Sequence, residues 1–258
     1  MKKNNISKII LETDNEKNNE KNDENNNEKN NKKNDEKNDE KNDEKNDEKN
    51  VITKFTLIPS EEIKKICTEN AYNYANLSLN IHSNLNIGNM IRSSNLCGCK
   101  KFIIFGRRHF DKRSAVGSTN YIDFERINGV KNGISNFTTE LKKEDYILDE
   151  NIFIKFIKDN NYLPIFVEQD SNSIIANEDN LIMIIKNAIE IKKMLIFIYG
   201  NEHYGIPKNI LDTRSRFTNS YTLELYQMGA MKSFNVSNTL SILSYKTMET
   251  FNKINQFN

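Results

Sequence analysis

The chain has 258 residues, 36% of them apolar and 28% charged, with a formal net charge of +1 and a mean hydropathy of −0.73. No apolar run approaches the roughly 18 residues needed to span a bilayer, and Ile9, Ile10 and Leu11 are too short a stretch for an export signal. Three cysteines, Cys67, Cys97 and Cys99, make neither a disulfide framework nor a zinc-ligand spacing, so no membrane, no metal and an intracellular, cytoplasmic setting are expected, with the nucleus or an organelle also open.

Residues 1–50 are dominated by Asn, Lys, Asp and Glu, and 34–49 are four copies of Asn-Asp-Glu-Lys. So little apolar surface cannot offset the entropy of ordering, which predicts a disordered tail. It carries 12 Lys against 15 Asp and Glu, a net of −3, which leaves +4 for the remainder and permits an RNA partner without demanding one. Residues 51–76 then read as a short helical extension. Ser60 is placed to cap a helix ahead of Glu61 and Glu62, and Ile63, Ile66, Cys67 and Tyr74 follow at helical spacing.

From residue 77 the pattern changes. Leu77, Leu79 and Ile81 alternate with polar residues as a strand would, and 87–96 reads as a helix. Phe102, Ile103, Ile104 and Phe105 form a buried strand stopped by Gly106, while 107–150 is polar and unassigned. Helix is expected at 152–160, strand at 163–167, helix within 180–193 and strand at 195–199. A short strand at 222–225 and a closing helix at 236–252 complete the domain, 77–258. Continuous apolar strands alternating with helices predict an α/β fold, a mostly parallel sheet with helices on both faces. Such sheets bind ligands at the carboxyl ends of their strands.

Three loops lie at such ends. The first is Asn86-Ile87-Gly88-Asn89-Met90-Ile91-Arg92, and the second is Gly200-Asn201-Glu202-His203-Tyr204-Gly205-Ile206. The third runs Leu225-Tyr226-Gln227-Met228-Gly229-Ala230-Met231-Lys232-Ser233-Phe234-Asn235-Val236-Ser237. Gly200 ends a buried strand and allows close backbone approach. Leu225, Met228 and Phe234 offer apolar walls, or ordinary core packing. Asn86, Ser233 and Asn235 stand where helix caps are favoured, a role compatible with ligand binding. Glu202 reads as a solvated loop acid, a helix cap, or a group that orients Arg92 or a loop backbone.

In order and spacing these loops resemble the three signature motifs of the SpoU (TrmH-like) family, RNA ribose 2′-O-methyltransferases of the SPOUT superfamily, over about residues 77–251. The resemblance implies a C-terminal trefoil knot, S-adenosylmethionine as cofactor without a metal, and a homodimer. It implies cofactor contacts at Gly200, Leu225 and Phe234, to which the apolar-wall argument adds Met228. Catalytic or target-positioning roles are implied for Asn86, Arg92, Glu202, Ser233 and Asn235. Because a sulfonium methyl is already activated, the protein's task is to align a ribose hydroxyl and stabilise the oxygen as it loses its proton. A guanidinium with a pKa above about 12 suits electrostatic stabilisation better than general-base work, which makes Arg92 the first candidate. The chain departs from the family at Asn84 and Tyr226, where Pro is usual, and at Phe234, where Leu is usual. These changes bear on loop shape and cofactor affinity more than on reaction class.

Lys100, Lys101, Arg107, Arg108, His109, Lys112 and Arg113 form a basic run after the first loop. Arg107, Arg108 and Arg113 are the candidates for RNA phosphates, against a solvated surface loop. Phe110 and Tyr121 fit base stacking or core packing. The expected partner is structured RNA, with tRNA ahead of rRNA. The competing readings are a catalytically inactive RNA-binding or assembly module on the same fold, and a different α/β protein that binds a nucleotide.

Overall fold

Seven parallel strands carry the molecule, β1 (Tyr72–Leu79), β2 (Cys99–Phe105), β3 (Asp123–Ile127), β4 (Tyr162–Val167), β5 (Ile174–Ile175), β6 (Met194–Tyr199) and β7 (Tyr221–Glu224), in the order β3-β2-β1-β6-β4-β7-β5. The computed structural model describes residues 50–106, 110–130 and 147–256. The tail expected over residues 1–50 therefore lies, except for Asn50, outside the described residues. The helices are α1 (Ser60–Glu69), α2 (Asn84–Leu96), α3 (Glu150–Asp159), α4 (Glu178–Glu190), the single turn α5 (Lys208–Leu211) and α6 (Val236–Gln256).

The apolar runs explain the layering. In β6, Leu195, Phe197 and Tyr199 point to one face of the sheet and Ile196 and Ile198 to the other, all of them buried. The first face packs against Ile87, Met90 and Ile91 of α2, Leu181, Ile184 and Ile185 of α4, and Leu240 and Leu243 of α6. The second takes Phe153, Phe156 and Ile157 of α3 and Ile210 of α5. The α3 residues recur at i, i+3 and i+4, which puts them on one stripe. Asp149 starts that helix by accepting from the N–H groups of Asn151 (2.8 Å) and Ile152 (3.1 Å). Asn177 does the same for α4 through Asn180 N–H at 2.9 Å. The α/β expectation, with helices on both faces, is met. No helix among the described residues is long and apolar enough to cross a membrane.

The central strand is less simple. Asn76 and Ser78 alternate with Leu77 and Leu79, yet all four are fully buried. The polar pair lies under α2 and α6, where the Asn76 amide donates to Ser94 Oγ (2.9 Å) and Ser244 Oγ (3.0 Å). Ser93 and Ser241 share a hydrogen bond of 2.7 Å between the same helices. Hydrogen bonding offsets the desolvation of the Asn76 amide nitrogen and of these hydroxyls, while the buried Asn76 Oδ1 has no partner among the described residues.

Several expectations change. Pro59, not Ser60, precedes α1, and no side chain caps it. Tyr74 belongs to β1 instead of the first helix, so a boundary at residues 76 and 77 cuts through a strand. The unassigned polar segment contains β3, an edge strand whose Asp123 and Glu125 both pair with Lys101 of β2. Pro164, which has no backbone N–H, precedes by one residue the point where β7 begins to pair with β4.

Gly88 shows why the first loop needs glycine. It is buried in α2, and a Cβ there would overlap the Ser114 carbonyl. Gly88→Ala is expected to lower unfolding stability by about 1–3 kcal/mol through overpacking, read as a lower urea midpoint with an unchanged slope. An unaltered midpoint would mean that the Ser114 segment yields freely.

Candidate active site

The first loop opens at the amino end of α2. Ser83 caps the helix by accepting from Asn86 N–H at 3.4 Å, so Asn86 is a helical residue and its side chain is not spent on capping. Its amide Nδ2 donates to Glu202 Oε1 at 2.8 Å, and its Oδ1 accepts from Asn235 Nδ2 at 3.2 Å. Asn235 is the cap of α6, accepting from Ser237 N–H (2.8 Å) and Oγ (2.7 Å). Capping and bridging are thus carried by the two ends of one side chain.

Glu202 joins the first and second loops. Its carboxylate accepts from His82 N–H (2.7 Å), Ser83 N–H (2.9 Å), the Asn86 amide (2.8 Å) and the Asn201 amide (3.3 Å). The second loop is closed by paired backbone bonds between Asn201 and Gly205, both 2.9 Å. A Cβ on Gly200 would overlap the backbone of Gly205 and Ile206, so this glycine is required by the loop's own turn. Burial pushes the Glu202 carboxyl up, but hydrogen bonds from His82, Asn86 and Ser83 outweigh it and hold the pKa below the ordinary 4.5.

Beside this junction a cavity of about 400 Å³ opens at the carboxyl ends of β4, β6 and β7, within the roughly 300–1,000 Å³ typical of small-molecule sites. Gly200, Glu202, Leu225, Ser233, Phe234 and Asn235 line it. Asn86 reaches it through Glu202 and Asn235. Met228 stands apart, 87% exposed and outside the lining. Arg92 is also outside, on the exposed stripe of α2 with Leu85, Asn89 and Leu96. It makes no hydrogen bond or ion pair among the described residues, so Glu202 orients the loop backbone and Asn86, not Arg92. Among the described residues no group of three or more His, Cys, Asp or Glu is placed to hold a metal ion.

The strand-end rule also pointed at β4, where sequence reasoning stopped short. Glu168 Oε2 accepts from Ile206 N–H of the second loop at 2.8 Å, and the Gln169 amide donates to Lys232 O of the third at 3.2 Å. Both line the cavity. Applying the rule to the residues after Val167 would have found them.

On the RNA side, Arg107, Arg108 and His109 lie outside the described residues. Arg113 is exposed and forks onto Asp111, with its Nη2 at 2.6 Å, so its charge is partly answered within the chain. Phe110 and Tyr121 are core residues at 9% and 8% exposure, and Phe110 sets its edge toward Phe124 at 5.9 Å.

A comparison with protein-family models matches residues 77–245, more than half of the chain, to the SpoU rRNA Methylase family. Among solved structures the chain is similar to the TrmH/SpoU tRNA modifying enzyme of A. aeolicus, at 13% identity, 77% coverage of this chain and 87% of that one, with a TM-score of 0.53. It is also similar to the SpoU methyltransferase AviRb of Streptomyces viridochromogenes in complex with AdoMet, at 16% identity, 70% and 62% coverage and a TM-score of 0.50. A probable methyltransferase of Bordetella pertussis Tohama I matches at 10% identity, 71% and 98% coverage and a TM-score of 0.51. These likenesses concern the fold, and the chain spans less than two thirds of the AviRb structure. No curated protein matches in sequence.

The lowered Glu202 pKa fixes a pH dependence. A depressed carboxyl contributes stability that is fully present above its unfolded-state pKa and is lost as pH falls through the lower folded value. Wild type should therefore melt above Glu202→Gln at neutral pH, and the gap should close as pH drops below about 4. A gap that is constant with pH would show that the four donors do not depend on the charge.

Proposed function

The chain belongs to the SpoU rRNA methylase family, and from that premise we propose that it transfers a methyl group from S-adenosylmethionine to a ribose 2′-hydroxyl of structured RNA, tRNA ahead of rRNA. The observation that carries this reading is the hydrogen-bonded chain Glu202–Asn86–Asn235, which ties all three loops together beside one cavity at the strand ends.

The residues present suit the cofactor. Leu223, Leu225, Val236 and Phe234 supply apolar walls for an adenine ring, and the folded-back second loop presents backbone groups to its edge. Bound there, S-adenosylmethionine would supply an activated methyl group and require no covalent intermediate on the protein. The chain's own part is positional and electrostatic. Asn86 and Asn235 fix the loops that face the incoming sugar, and Ser233 offers a hydroxyl at the rim.

Arg92 would stabilise the ribose oxygen as its proton leaves, or hold the adjoining phosphate. Its place on an exposed stripe with Leu85 and Leu96, 69% and 70% exposed, favours a homodimer through this face. Covering the stripe would lower the local dielectric and strengthen the arginine's field. The family reading extends to a trefoil knot around the C-terminal segment. A cytoplasmic setting fits the three free cysteines.

Mass spectrometry of tRNA and rRNA incubated with the protein and S-adenosylmethionine should show a new ribose methyl mark, and the inactive-module reading prevails if none appears. Arg92→Ala should abolish transfer while S-adenosylhomocysteine affinity stays within about twofold; equal loss of both would move Arg92 into cofactor binding. Light scattering at micromolar concentration should give a dimer mass, and a monomer would remove the proposed interface.

A further inference from the structure

Three carboxylates line the cavity, and they differ in how their oxygens are used. Glu202 has four donors on its two oxygens, which fills the roughly four acceptor positions a carboxylate offers. Glu224, at the end of β7, makes no side-chain hydrogen bond among the described residues. Glu168 lies between these extremes. It follows β4 directly, and its Oε2 accepts from Ile206 N–H at 2.8 Å and its Oε1 from Gln169 N–H at 3.1 Å. The carboxylate also lies against Gly205, where a Cβ would overlap Oε2. Each oxygen therefore has one protein donor and one acceptor position left over. The group is half-buried, fixed in place and on the cavity wall.

A fixed carboxylate with two acceptor positions is complementary to a ligand group with two neighbouring O–H donors. The vicinal diol of a ribose is such a group, and an acid at the carboxyl end of a parallel strand is a physically suited partner for it. Because two backbone N–H groups already hold Glu168, little side-chain freedom remains to be lost on binding. We propose that Glu168 is the acceptor for the 2′- and 3′-hydroxyls of the cofactor's own ribose, and that it sets the pocket's selectivity for a ribonucleoside. This inference rests on the reading of the cavity as an S-adenosylmethionine site. It adds a second role to the same side chain: the second loop, which carries Glu202, is fastened through Ile206 to the group that holds the sugar. Cofactor binding and loop geometry are then linked through one carboxylate.

The test is calorimetry with S-adenosylhomocysteine and with its 2′,3′-dideoxyribose counterpart, on the full chain. Wild type should prefer the diol roughly tenfold or more, the size expected for hydrogen bonds to a charged acceptor. Glu168→Gln keeps an oxygen for Ile206 N–H but loses the charge, so its preference should fall at least severalfold through weaker binding of the diol ligand alone. Glu224→Gln should keep the wild-type preference. Equal weakening of both ligands in Glu168→Gln would reduce Glu168 to a loop fastener and overturn the proposal, as would a preference erased by Glu224→Gln instead. Wild type that binds S-adenosylhomocysteine without preferring the diol overturns this inference alone, whereas wild type that binds neither ligand overturns the cofactor reading as well.

Discussion

Four donors converge on one carboxylate at the mouth of the cavity. His82 and Ser83 offer backbone N–H groups from the turn before α2, and Asn86 and Asn201 offer amides. Without Glu202 these groups would face one another with no shared acceptor; without them a half-buried charge would go unanswered. Each side therefore makes the other tolerable, and the first and second loops behave as one body. Asn235 extends that body to the third loop by bonding Asn86 with one end of its amide and starting α6 with the other.

The sheet makes this convergence possible. β1 and β6 are neighbours in its middle, and Ser78 pairs with Tyr199. Two parallel strands in that register deliver His82 and Glu202 side by side, four and three residues further on. The polar residues under α6 serve the same end. Asn76 reaches both Ser94 and Ser244, which fixes the lateral placement of α2 relative to α6 where apolar contact alone would allow sliding.

Much of this was legible from the chain alone, because buried parallel strands leave a plain mark. Leu195 to Tyr199 is apolar throughout, and its neighbours on both faces demand it. The three loops were legible for a different reason, since each is dense in Gly, Asn, Ser and Glu directly after such a run. Other features were hidden by competing signals. Tyr74 continued a helical spacing by accident, while its place in the sheet follows from β2 and β6 on either side. β3 and β5 are edge strands, too charged or too short to show alternation. Arg92 sat in the right motif, but helix periodicity turns it about a third of a revolution from Asn86 and onto the outer stripe. Glu168 went unnoticed because a single acid after a strand has no pattern until the partner loops are seen.

The bonds that close the site join residues 120 and 149 positions apart in the chain, and the Asn76–Ser244 bond beneath α6 spans 168. Ordering such distant segments means that loop-closure entropy is lost before the contacts form, which predicts slower folding than a chain of local contacts would show. An intermediate with the sheet paired but α6 undocked would expose Leu240, Leu243 and Phe251, together with the polar layer above Asn76. Such a species would be sticky as well as idle, and any interval before α6 seats would leave this apolar surface open to aggregation.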